Sequence, residues 1–514
     1  MNAKGHVYLV GAGPGDPKLI TIRGREAIER ADVLVYDRLA NPRLLQWAKP
    51  NTKKIYVGKL PDRHTLKQHE INQLLIDLAL EGHIVTRLKG GDPSVFGRVG
   101  EEAEALVANG IRFDMIPGVT SSIAVPLYAG IPVTHRDFTS SLAIVTGHEC
   151  TKKEDSSLDW EKLAQATGTM VFLMGVKNVS YLCSNMIRYG RSETTPVAVV
   201  QWGTSAFQRT IIGNLQTIEQ DIKESGITSP AVIVVGEVVN LRNTLNWFET
   251  KPLFGKRIVV TRARAQSSSL VDHIDLLGGE AIELPVIEVT DSDQGFDLSE
   301  PEKFNWIVFT SVNAVEHFFK AIRLLNVDAR RFAKARIAAI GQATADALAS
   351  FGWLSEVCPG QQDRDGLLQA LQQQIQPGSN ILLPRGNLAS NWLPDRLQEF
   401  GANIQNWTVY STKPVTEEES MADIIQELRV GRINAITFTS SSTVQHFIEP
   451  LKRLLGDEVQ TLLTDIPFVC IGPQTAETAI TYGFGVIHTA NSTGIDGLIE
   501  KLLEVMLNRA EGEK

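Results

Sequence analysis

The chain has 514 residues, long for one domain and enough for three or four of about 100–200 residues each. Apolar residues make up 43 % and charged residues 21 %, which excludes a wholly disordered, collagen-like or coiled-coil chain. The formal net charge of −9 argues against nucleic acid or an anionic membrane as the main partner.

Targeting and cysteine patterns point to a cytoplasmic protein. The first residues do not match a signal peptide, and the longest apolar run, from Pro230, is interrupted by Gly236 and Glu237 and is too short to span a bilayer. The four cysteines lie far apart and show no CxxC spacing. We therefore expect no metal site and buried, reduced thiols at Cys150, Cys183, Cys358 and Cys470.

Short β-branched runs alternate with amphipathic stretches along the whole chain, which predicts an α/β fold. Several runs end in Gly or Asp, as expected where a strand leads into a ligand-facing loop. In the first half, the predicted strands are HVYLVGAG, ADVLVYD, HIVTRLKGG, SLAIVTGH, TMVFLMG, PVAVVQWG and AVIVVGE.

The first of these strands leads into a glycine-rich loop, GAGPGDP at Gly11–Pro17. It resembles a dinucleotide-binding turn but lacks the third glycine at the proper offset. On this pattern alone, a tight turn between a strand and a helix is an equally good interpretation.

A junction between two halves is predicted at about 250–255, where a polar stretch with Pro252 and Gly255 precedes the strand RIVVTRAR. The second half contains an internal repeat, because NWIVFTSVNAVEHFFKAI from Asn305 matches NAITFTSSSTVQHFIEPL from Asn434. RIAAIGQATADALASFGW likewise matches PFVCIGPQTAETAITYGF. Two similar α/β lobes facing each other across a cleft are therefore expected.

The helices of the repeat share one apolar spacing. Val315, Phe318, Phe319 and Ile322 follow the i, i+3, i+4, i+7 pattern of a buried helix face. The second copy repeats it with Val444, Phe447, Ile448 and Leu451. Small hydroxyl residues stand between strand and helix in both copies, either as helix N-caps or as ligands for anionic groups.

A series of motifs in the first half carries a family resemblance. ADVLVYDRL, RLKGGDPSVFGRVGEE, PGVTSSIAVPLYAGIPVTHR, TGH, FLMG and QWGTS occur in this order. The series resembles the uroporphyrinogen-III C-methyltransferase family of tetrapyrrole methylases over about residues 5–245. The resemblance implies a two-lobed α/β enzyme, a homodimer, that uses S-adenosylmethionine to methylate uroporphyrinogen III at C2 and C7, giving precorrin-2.

The same resemblance implies roles for individual residues. Asp37 would be the proton acceptor and Lys59 the proton donor, with a strand-end cap and a solvated lysine as the alternatives. Turns and a core methionine are the corresponding alternatives for the cofactor residues. The adenosylmethionine pocket would comprise Pro14, Gly90, Gly91, Asp92, Val95, Thr120, Ser121, Met174, Gly203 and Ala231.

Charge gives a separate reason to single out the arginines of these motifs. Uroporphyrinogen has eight carboxylates, so a net-negative protein must bind it through local arginines. The resemblance assigns Arg98, Glu101 and Arg136 to the tetrapyrrole face; a surface salt bridge is the alternative. The motifs depart from the family pattern at Leu60, Ser94 and Val99, so we expect the local geometry there to differ from that of the family.

The repeat in the second half resembles uroporphyrinogen-III synthase over about residues 255–510. This implies two α/β lobes and ring closure of hydroxymethylbilane to uroporphyrinogen III, with inversion of ring D and no cofactor. Tyr410 would assist loss of the hydroxyl group, or else be a buried hinge residue. The implied binding positions are Arg262, Thr310, Ser311, Arg385, Ser440, Ser441 and Thr475.

Together the two resemblances predict a bifunctional enzyme whose small-molecule substrates are hydroxymethylbilane and uroporphyrinogen III. Its expected domains are 1–250 and 251–514, the latter with lobe one at 255–290 plus 412–510 and lobe two at 291–411. The alternative is a methylase of a later corrin precursor with a non-catalytic, ligand-sensing second half.

Overall fold

The computed structural model describes residues 4–58, 66–148, 158–262, 264–415, 418–492 and 494–512. The chain divides into two compact units, Met1–Gly255 and Lys256–Lys514. Each unit contains two five-stranded sheets with helices packed on them, so the α/β class predicted from the alternating pattern is confirmed.

The first unit begins with a parallel sheet. Its strands are β1 (His6–Gly11), β2 (Val33–Tyr36), β3 (Lys53–Tyr56), β4 (Ile84–Lys89) and β5 (Arg112–Ile116), in the order β3-β2-β4-β1-β5. The central strands are rich in buried valine and leucine because helices cover both faces of a parallel sheet. The helices of this part are α1 (Ile22–Arg30), α2 (Gln68–Leu80), α3 (Val99–Ala108) and α4 (Ser121–Tyr128).

The second sheet of this unit is mixed. It is formed by β6 (Leu142–Thr146), β7 (Thr169–Leu173), β8 (Pro196–Gln201), β9 (Arg209–Asn214) and β10 (Ala231–Val235), in the order β6-β7-β10-β8-β9. Strand β10 runs antiparallel to both of its neighbours, so its first residue lies beside the last residues of β7 and β8. The accompanying helices are α5 (Trp160–Ala166), α6 (Val179–Arg188), α7 (Ile218–Ser225) and α8 (Arg242–Leu245).

The second unit contains two further sheets. Its strands in chain order are β11 (Arg257–Val260), β12 (Glu280–Glu283), β13 (Ile287–Asp291), β14 (Trp306–Phe309), β15 (Arg336–Ala339), β16 (Asn380–Gly386), β17 (Asn403–Pro414), β18 (Ala435–Phe438), β19 (Pro467–Cys470) and β20 (Val486–Thr489). Lobe one is the parallel sheet β12-β11-β18-β19-β20, and lobe two is the sheet β13-β17-β16-β14-β15.

The chain crosses between these lobes twice. Strands β13 and β17 pair antiparallel, from Ile287 opposite Pro414 to Asp291 opposite Tyr410. Ile287 also packs into the core of lobe one, so the pair anchors both lobes. The helices of this unit are α9 (Arg264–Leu276), α10 (Val312–Leu324), α11 (Gln342–Ser350), α12 (Arg364–Gln372), α13 (Trp392–Glu399), α14 (Glu418–Arg429), α15 (Ser441–Leu455), α16 (Glu458–Leu463), α17 (Pro473–Tyr482) and α18 (Ile495–Gly512).

The apolar periodicity of the repeat is confirmed in α10 and α15. Val315 and Phe318 are fully buried in the core of lobe two, and Phe319 is partly buried against it. All four apolar residues predicted for the second copy are fully buried in lobe one. The same spacing therefore builds the same helix–sheet contact in each lobe.

The cysteines follow the expectation only in part. Cys183 and Cys470 are buried and free, and burial raises the pKa of each thiol to about 12. Cys358 is exposed, so the prediction that it is buried is wrong; it lies in the irregular segment after β15, which leaves it open to solvent. Cys150 lies outside the described residues. Within the described ranges, no helix combines the length and apolar content needed to cross a bilayer.

Candidate functional site

Three glycines let the loops after β1, β4 and β5 meet beyond the C-terminal ends of these strands. A Cβ atom on Gly11 would lie 2.5 Å from the amide nitrogen of Gly118, and one on Gly118 would overlap the carbonyl group of Gly91. The Gly91 amide donates a 2.7 Å hydrogen bond to the carbonyl oxygen of Gly13. Only glycine permits this approach, which leaves backbone groups of three loops close together at the strand ends.

Asp92 ties the loop after β4 to the loop after β5. One of its carboxylate oxygens accepts the Gly118 amide at 3.0 Å, and the other accepts the Ser94 amide at 2.8 Å and also binds the Ser94 hydroxyl. Ser94 is one of the departures from the family pattern, and its hydroxyl adds a hydrogen bond to Asp92 beyond the one from its own backbone amide. Val99, another departure, is buried at the start of α3.

The loop that contains Pro14 reaches the second sheet of the unit. The Asp16 amide donates to the Thr204 hydroxyl at 3.0 Å, and a Cβ on Gly15 would lie 2.8 Å from that hydroxyl oxygen. Asn41 fixes the same loop by donating to the Gly15 carbonyl oxygen at 2.8 Å. The strand-end edges of the two sheets therefore meet here.

The predicted cofactor residues lie at these strand ends of the two sheets. Gly90, Gly91 and Asp92 follow β4, and Thr120 caps α4 beside them through a 3.3 Å bond from the Ser122 amide. Ser121 is the first residue of α4. On the other sheet, Met174 follows β7, Gly203 follows β8 and Ala231 begins β10. Val95 belongs to the loop after β4 but packs on the core formed by α4 and the second sheet of this unit.

Backbone strain is concentrated in the same loops. Phe96, Arg98, Met174, Trp202 and Thr204 have φ between 48° and 66°, a left-handed conformation that side chains with a Cβ disfavour. Such residues cost about 1–3 kcal/mol each and persist where the surroundings require them, which is most often at ligand sites. Among the described non-glycine residues, only Asn326 shares this conformation elsewhere.

Asp37 lies at the end of β2, next to the loop after β4. One carboxylate oxygen accepts the Leu39 amide at 3.1 Å, as in a strand-end cap, and the other accepts Nη2 of Arg87 at 3.1 Å. The side chain is about a quarter exposed. Both interpretations of Asp37 are therefore compatible with its contacts. Lys59, the predicted proton donor, lies outside the described residues, as does Leu60.

Arg98 and Glu101 bind each other. Nε and Nη2 of Arg98 donate to the two carboxylate oxygens of Glu101 at 2.7 and 2.6 Å, and each side chain is about half exposed. This hydrogen-bonded pairing raises the pKa of Arg98 and lowers that of Glu101. Arg136 is exposed and has no hydrogen bond or ion pair within the described ranges, so its guanidinium is available to an anion.

In the second unit, Arg262 follows β11 at the strand-end edge of lobe one. Burial lowers its pKa, and the main opposing influence is the carboxylate of Glu316 on α10 of lobe two. The lobes therefore approach each other at this edge. No hydrogen bond or ion pair to another described residue engages Arg262. A half-buried cation of this kind is suited to binding a carboxylate.

Tyr410 lies on β17 beside the start of α10. Its hydroxyl is 3.5 Å from the hydroxyl of Ser311, which caps α10 by accepting the Ala314 amide at 3.1 Å. A Cβ on Gly386 would lie 2.6 Å from the Tyr410 ring, so the ring needs a glycine there. Thr310, partly buried, immediately precedes this cap.

Arg385 is engaged by its own lobe. Its guanidinium donates to the side-chain oxygen of Asn406 at 3.0 Å and to the carbonyl oxygens of Ala389 and Ser390. Burial lowers its pKa. In this structure the side chain holds the loop after β16, a role that the arginine in LLPRGN did not suggest.

The predicted hydroxyls of lobe one also have local partners. Ser440 caps α15 by accepting the Thr443 amide at 3.3 Å. Ser441 donates to the Gln474 carbonyl oxygen at 3.3 Å and accepts the Thr478 hydroxyl at 2.8 Å, which links α15 to α17. Thr475 is buried within α17. The capping interpretation holds for Ser311 and Ser440.

His317 is a neighbour of Tyr410 that the sequence interpretation missed. Its ring centroid lies 5.4 Å from that of Tyr410, and its Nδ1 is 2.8 Å from a carboxylate oxygen of Asp291. Lys320 binds the other oxygen at 2.5 Å, and this contact and that of His317 lower the pKa of Asp291. The repeat contained a signal, because His446 occupies the matching position of the second copy.

No cluster of metal-ligating side chains occurs in the part of the chain that the structure describes. Two family models match the sequence: tetrapyrrole (corrin/porphyrin) methylases over residues 6–219 and uroporphyrinogen-III synthase HemD over residues 268–500. One match lies in each compact unit.

Curated relatives extend over both units. A uroporphyrinogen-III C-methyltransferase of Bacillus subtilis (strain 168) is 49% identical over 94% of this chain and 95% of its own length. The porphyrin biosynthesis protein HemD of Ruminiclostridium josui is 40% identical over 98% of each chain. An S-adenosyl-L-methionine-dependent uroporphyrinogen III methyltransferase of Methanosarcina barkeri is 51% identical over 47% of this chain and 94% of its own.

Proposed function

We propose that this chain, which belongs to the tetrapyrrole methylase family in its first unit and to the uroporphyrinogen-III synthase family in its second, catalyses two successive reactions. The second unit closes hydroxymethylbilane to uroporphyrinogen III with inversion of ring D. The first methylates this product at C2 and C7 to give precorrin-2. We assign residues 1–250 and 251–514 to the two activities, with lobes at 255–290 plus 412–510 and at 291–411.

One observation carries the methylase assignment. Loops at the strand ends of the two sheets contain closely packed glycines and residues with strained backbone, and they meet at Asp16 and Thr204. Backbone amides and carbonyls that glycine leaves open suit the polar end of S-adenosylmethionine, and Met174 offers an apolar contact. The cofactor supplies an electrophilic methyl group on a sulfonium. We propose that it is held by Pro14, Gly90, Gly91, Asp92, Val95, Thr120, Ser121, Met174, Gly203 and Ala231.

The chain's own task in methyl transfer is to orient a pyrrole carbon and remove the proton that is lost afterwards. We propose Asp37 as the proton acceptor and Lys59 as the donor. Arg136, unpaired within the described residues, would bind a substrate carboxylate, with Arg98 and Glu101 beside it. Arg98 must exchange Glu101 for the substrate in order to do so, which makes Arg136 the stronger candidate.

The synthase assignment is supported by Arg262 and Tyr410. Loss of the terminal hydroxyl from an electron-rich pyrrole occurs without catalysis, so the enzyme has mainly to hold the chain for attack at the substituted carbon of ring D. Arg262 would hold a carboxylate, and the hydroxyls of Tyr410 and Ser311 offer a proton and a hydrogen bond for the leaving group. Thr310, Arg385, Ser440, Ser441 and Thr475 complete the proposed binding positions. We propose that this half uses no cofactor.

One incubation tests both reactions. The full chain is given hydroxymethylbilane with and without S-adenosylmethionine, and the tetrapyrroles are separated and identified. We expect the type III isomer without the methyl donor and a dimethylated product with it. Type I isomer alone would refute the synthase assignment. Type III isomer that is never methylated would refute the methylase assignment, and methylation of only a later corrin precursor would favour the alternative substrate.

We also propose a homodimer joined through the methylase unit in the cytoplasm, with no nucleic acid or membrane partner. Ile123, Leu127 and Trp247 support the dimer because they expose roughly half of their surface near one another, the Trp247 indole donating to the Leu127 carbonyl oxygen at 3.0 Å. Light scattering of the purified chain would measure the mass. A monomer at micromolar concentration would contradict this proposal.

A further inference from the structure

Three charged side chains are buried beneath the strand-end edge of the first sheet. Arg87 and Lys89 on β4 are 4 % and 5 % exposed, and Glu102 on α3 is fully buried. Arg87 and Lys89 are two residues apart on one strand and so point to the same face of the sheet, the face that α2 and α3 cover. Burying an ion is costly unless its charge and hydrogen bonds are compensated, so this arrangement needs an explanation.

The contacts lead from the buried glutamate to Asp37. One oxygen of Glu102 accepts Nζ of Lys89 at 2.6 Å and lies 3.6 Å from Nε of Arg87. Nη2 of Arg87 donates to Asp37 at 3.1 Å, while Nη1 is held by the Leu88 carbonyl oxygen at 2.8 Å. The guanidinium is thereby fixed between the buried carboxylate of Glu102 and the partly exposed carboxylate of Asp37 at the end of β2.

Two features show that local packing alone does not account for the cluster. Nε of Arg87 and the second carboxylate oxygen of Glu102 are buried and have no hydrogen-bond partner. The cluster also contains two basic side chains and one acidic one, and Asp37 is the further carboxylate that contacts Arg87. Burial is the main cause that lowers the pKa of Lys89; the Arg87 charge acts in the same direction, and the Glu102 carboxylate opposes both. Arg87 is in contact with Asp37, and Lys89 also interacts with it electrostatically.

We propose that Arg87 is a positioning residue for methyl transfer, which holds the Asp37 carboxylate oriented at the end of β2, with Glu102 and Lys89 fixing Arg87 from below. This inference rests on the proposed methylase function. It adds the requirement of an intact buried ion cluster beneath the proton acceptor, which the glycine motifs of the family do not indicate. No proton passes through Arg87, whose guanidinium keeps its charge throughout.

A double-mutant cycle tests the proposal in the full-length chain. Arg87→Gln, Asp37→Asn and the double variant are assayed for methylation of uroporphyrinogen III at pH 7, with Arg112→Gln, an exposed arginine on β5, as the control. Arg87→Gln should lower kcat/KM by about 10- to 150-fold. The loss should fall on kcat, with the KM for uroporphyrinogen little changed, because Arg87 acts through Asp37 and not on the bound substrate.

The double variant should be little worse than Asp37→Asn alone. S-adenosylmethionine affinity, measured by calorimetry, should change less than about twofold in all variants. Additive losses, a loss that falls on KM or a parallel loss of cofactor affinity would overturn the proposal. Arg87→Lys keeps the buried charge and so protects the fold, but a lysine cannot bridge two carboxylates, so the same loss of kcat is expected in smaller measure.

Urea unfolding of the same variants gives a second reading without substrate. Coupling between Arg87 and Asp37 should make their destabilisations non-additive, whereas Arg112 should not couple to Asp37. Additive destabilisation would overturn the proposal. A wild-type chain that binds S-adenosylmethionine but does not methylate uroporphyrinogen III would refute the proposed function instead, and the unfolding cycle would still decide whether Arg87 holds Asp37.

Discussion

Gly203 offers a direct test of the cofactor site, because the nearest obstacle to a side chain there is one identifiable residue. In Gly203→Ala the new Cβ would lie 2.6 Å from Cγ2 and 2.8 Å from Cβ of Val125, where carbon atoms normally stay 3.5–4.0 Å apart. Val125 is buried in α4, and its β-branched side chain has one preferred rotamer in a helix, so it cannot turn away. The loop after β8 must therefore move by about 1 Å relative to α4.

Forced overpacking of this kind costs about 1–3 kcal/mol. Because the displaced loop carries part of the proposed pocket, we expect the Kd for S-adenosylmethionine to rise by about 5- to 150-fold. Calorimetry on the full-length chain measures this, with Gly100→Ala as a control whose Cβ meets no atom within 4 Å. Val125→Ala removes the two nearest methyl groups but keeps its own Cβ at 2.8 Å, so it should recover part of the affinity in the double variant. Unchanged affinity in Gly203→Ala, or no recovery in the double variant, would refute the reasoning.

Three further predictions concern the other groups of the two sites. Arg136→Gln should raise the KM for uroporphyrinogen by about 10- to 150-fold while cofactor affinity stays constant; a matching loss of both would indicate misfolding. Tyr410→Phe should slow formation of the type III isomer by about 100-fold or more and let unbound substrate drift to type I, and a full rate would make Tyr410 structural. At pH 9 iodoacetamide should label Cys358 rapidly and Cys183 and Cys470 slowly, as read by peptide mass analysis. Because burial raises the pKa of these two thiols to about 12, the unfolded state ionises first and the free energy of unfolding should fall as pH rises from about 9 towards 12. Equal labelling of all three in the folded chain would contradict their burial.

Sequence reasoning found the interior strands of the first unit and missed three at its edges. The predicted runs at β1, β2 and β4 are apolar because both faces of an inner parallel strand are covered. The strands that were not predicted, β3, β5 and β9, each lie at the edge of a sheet. Lys53 and Lys54 on β3 and Arg112 on β5 are exposed, and charged side chains of this kind protect edges from pairing with other chains. The feature that protects an edge also removes its apolar signature.

The repeat made the second unit more predictable than its individual motifs did. Apolar spacing at Phe318 and Phe447 sets the same helix contact in both lobes, so one pattern predicts two elements. Hydroxyl residues were ambiguous because a serine after a strand can cap a helix or face a ligand. Both Ser311 and Ser440 cap, yet the Ser311 hydroxyl remains 3.5 Å from that of Tyr410. A capping serine can therefore also lie beside a candidate site residue.

Long-range partners explain what the sequence could not predict in either site. Arg98 and Arg385 belong to motifs that suggest anion binding, but Glu101 and the carbonyl groups after β16 already bind them. Arg87 and Glu102 lie 15 positions apart, in a motif otherwise defined by its glycines, and only the packing of α3 on β4 shows that both are buried with Lys89. Alternating charges within an apolar strand were the available signal. A buried charged side chain needs a counter-ion, which often lies on another element. Charged residues in an apolar strand therefore predict a counter-ion whose position the sequence does not give. Here the counter-ions of Arg87 are Glu102 and Asp37.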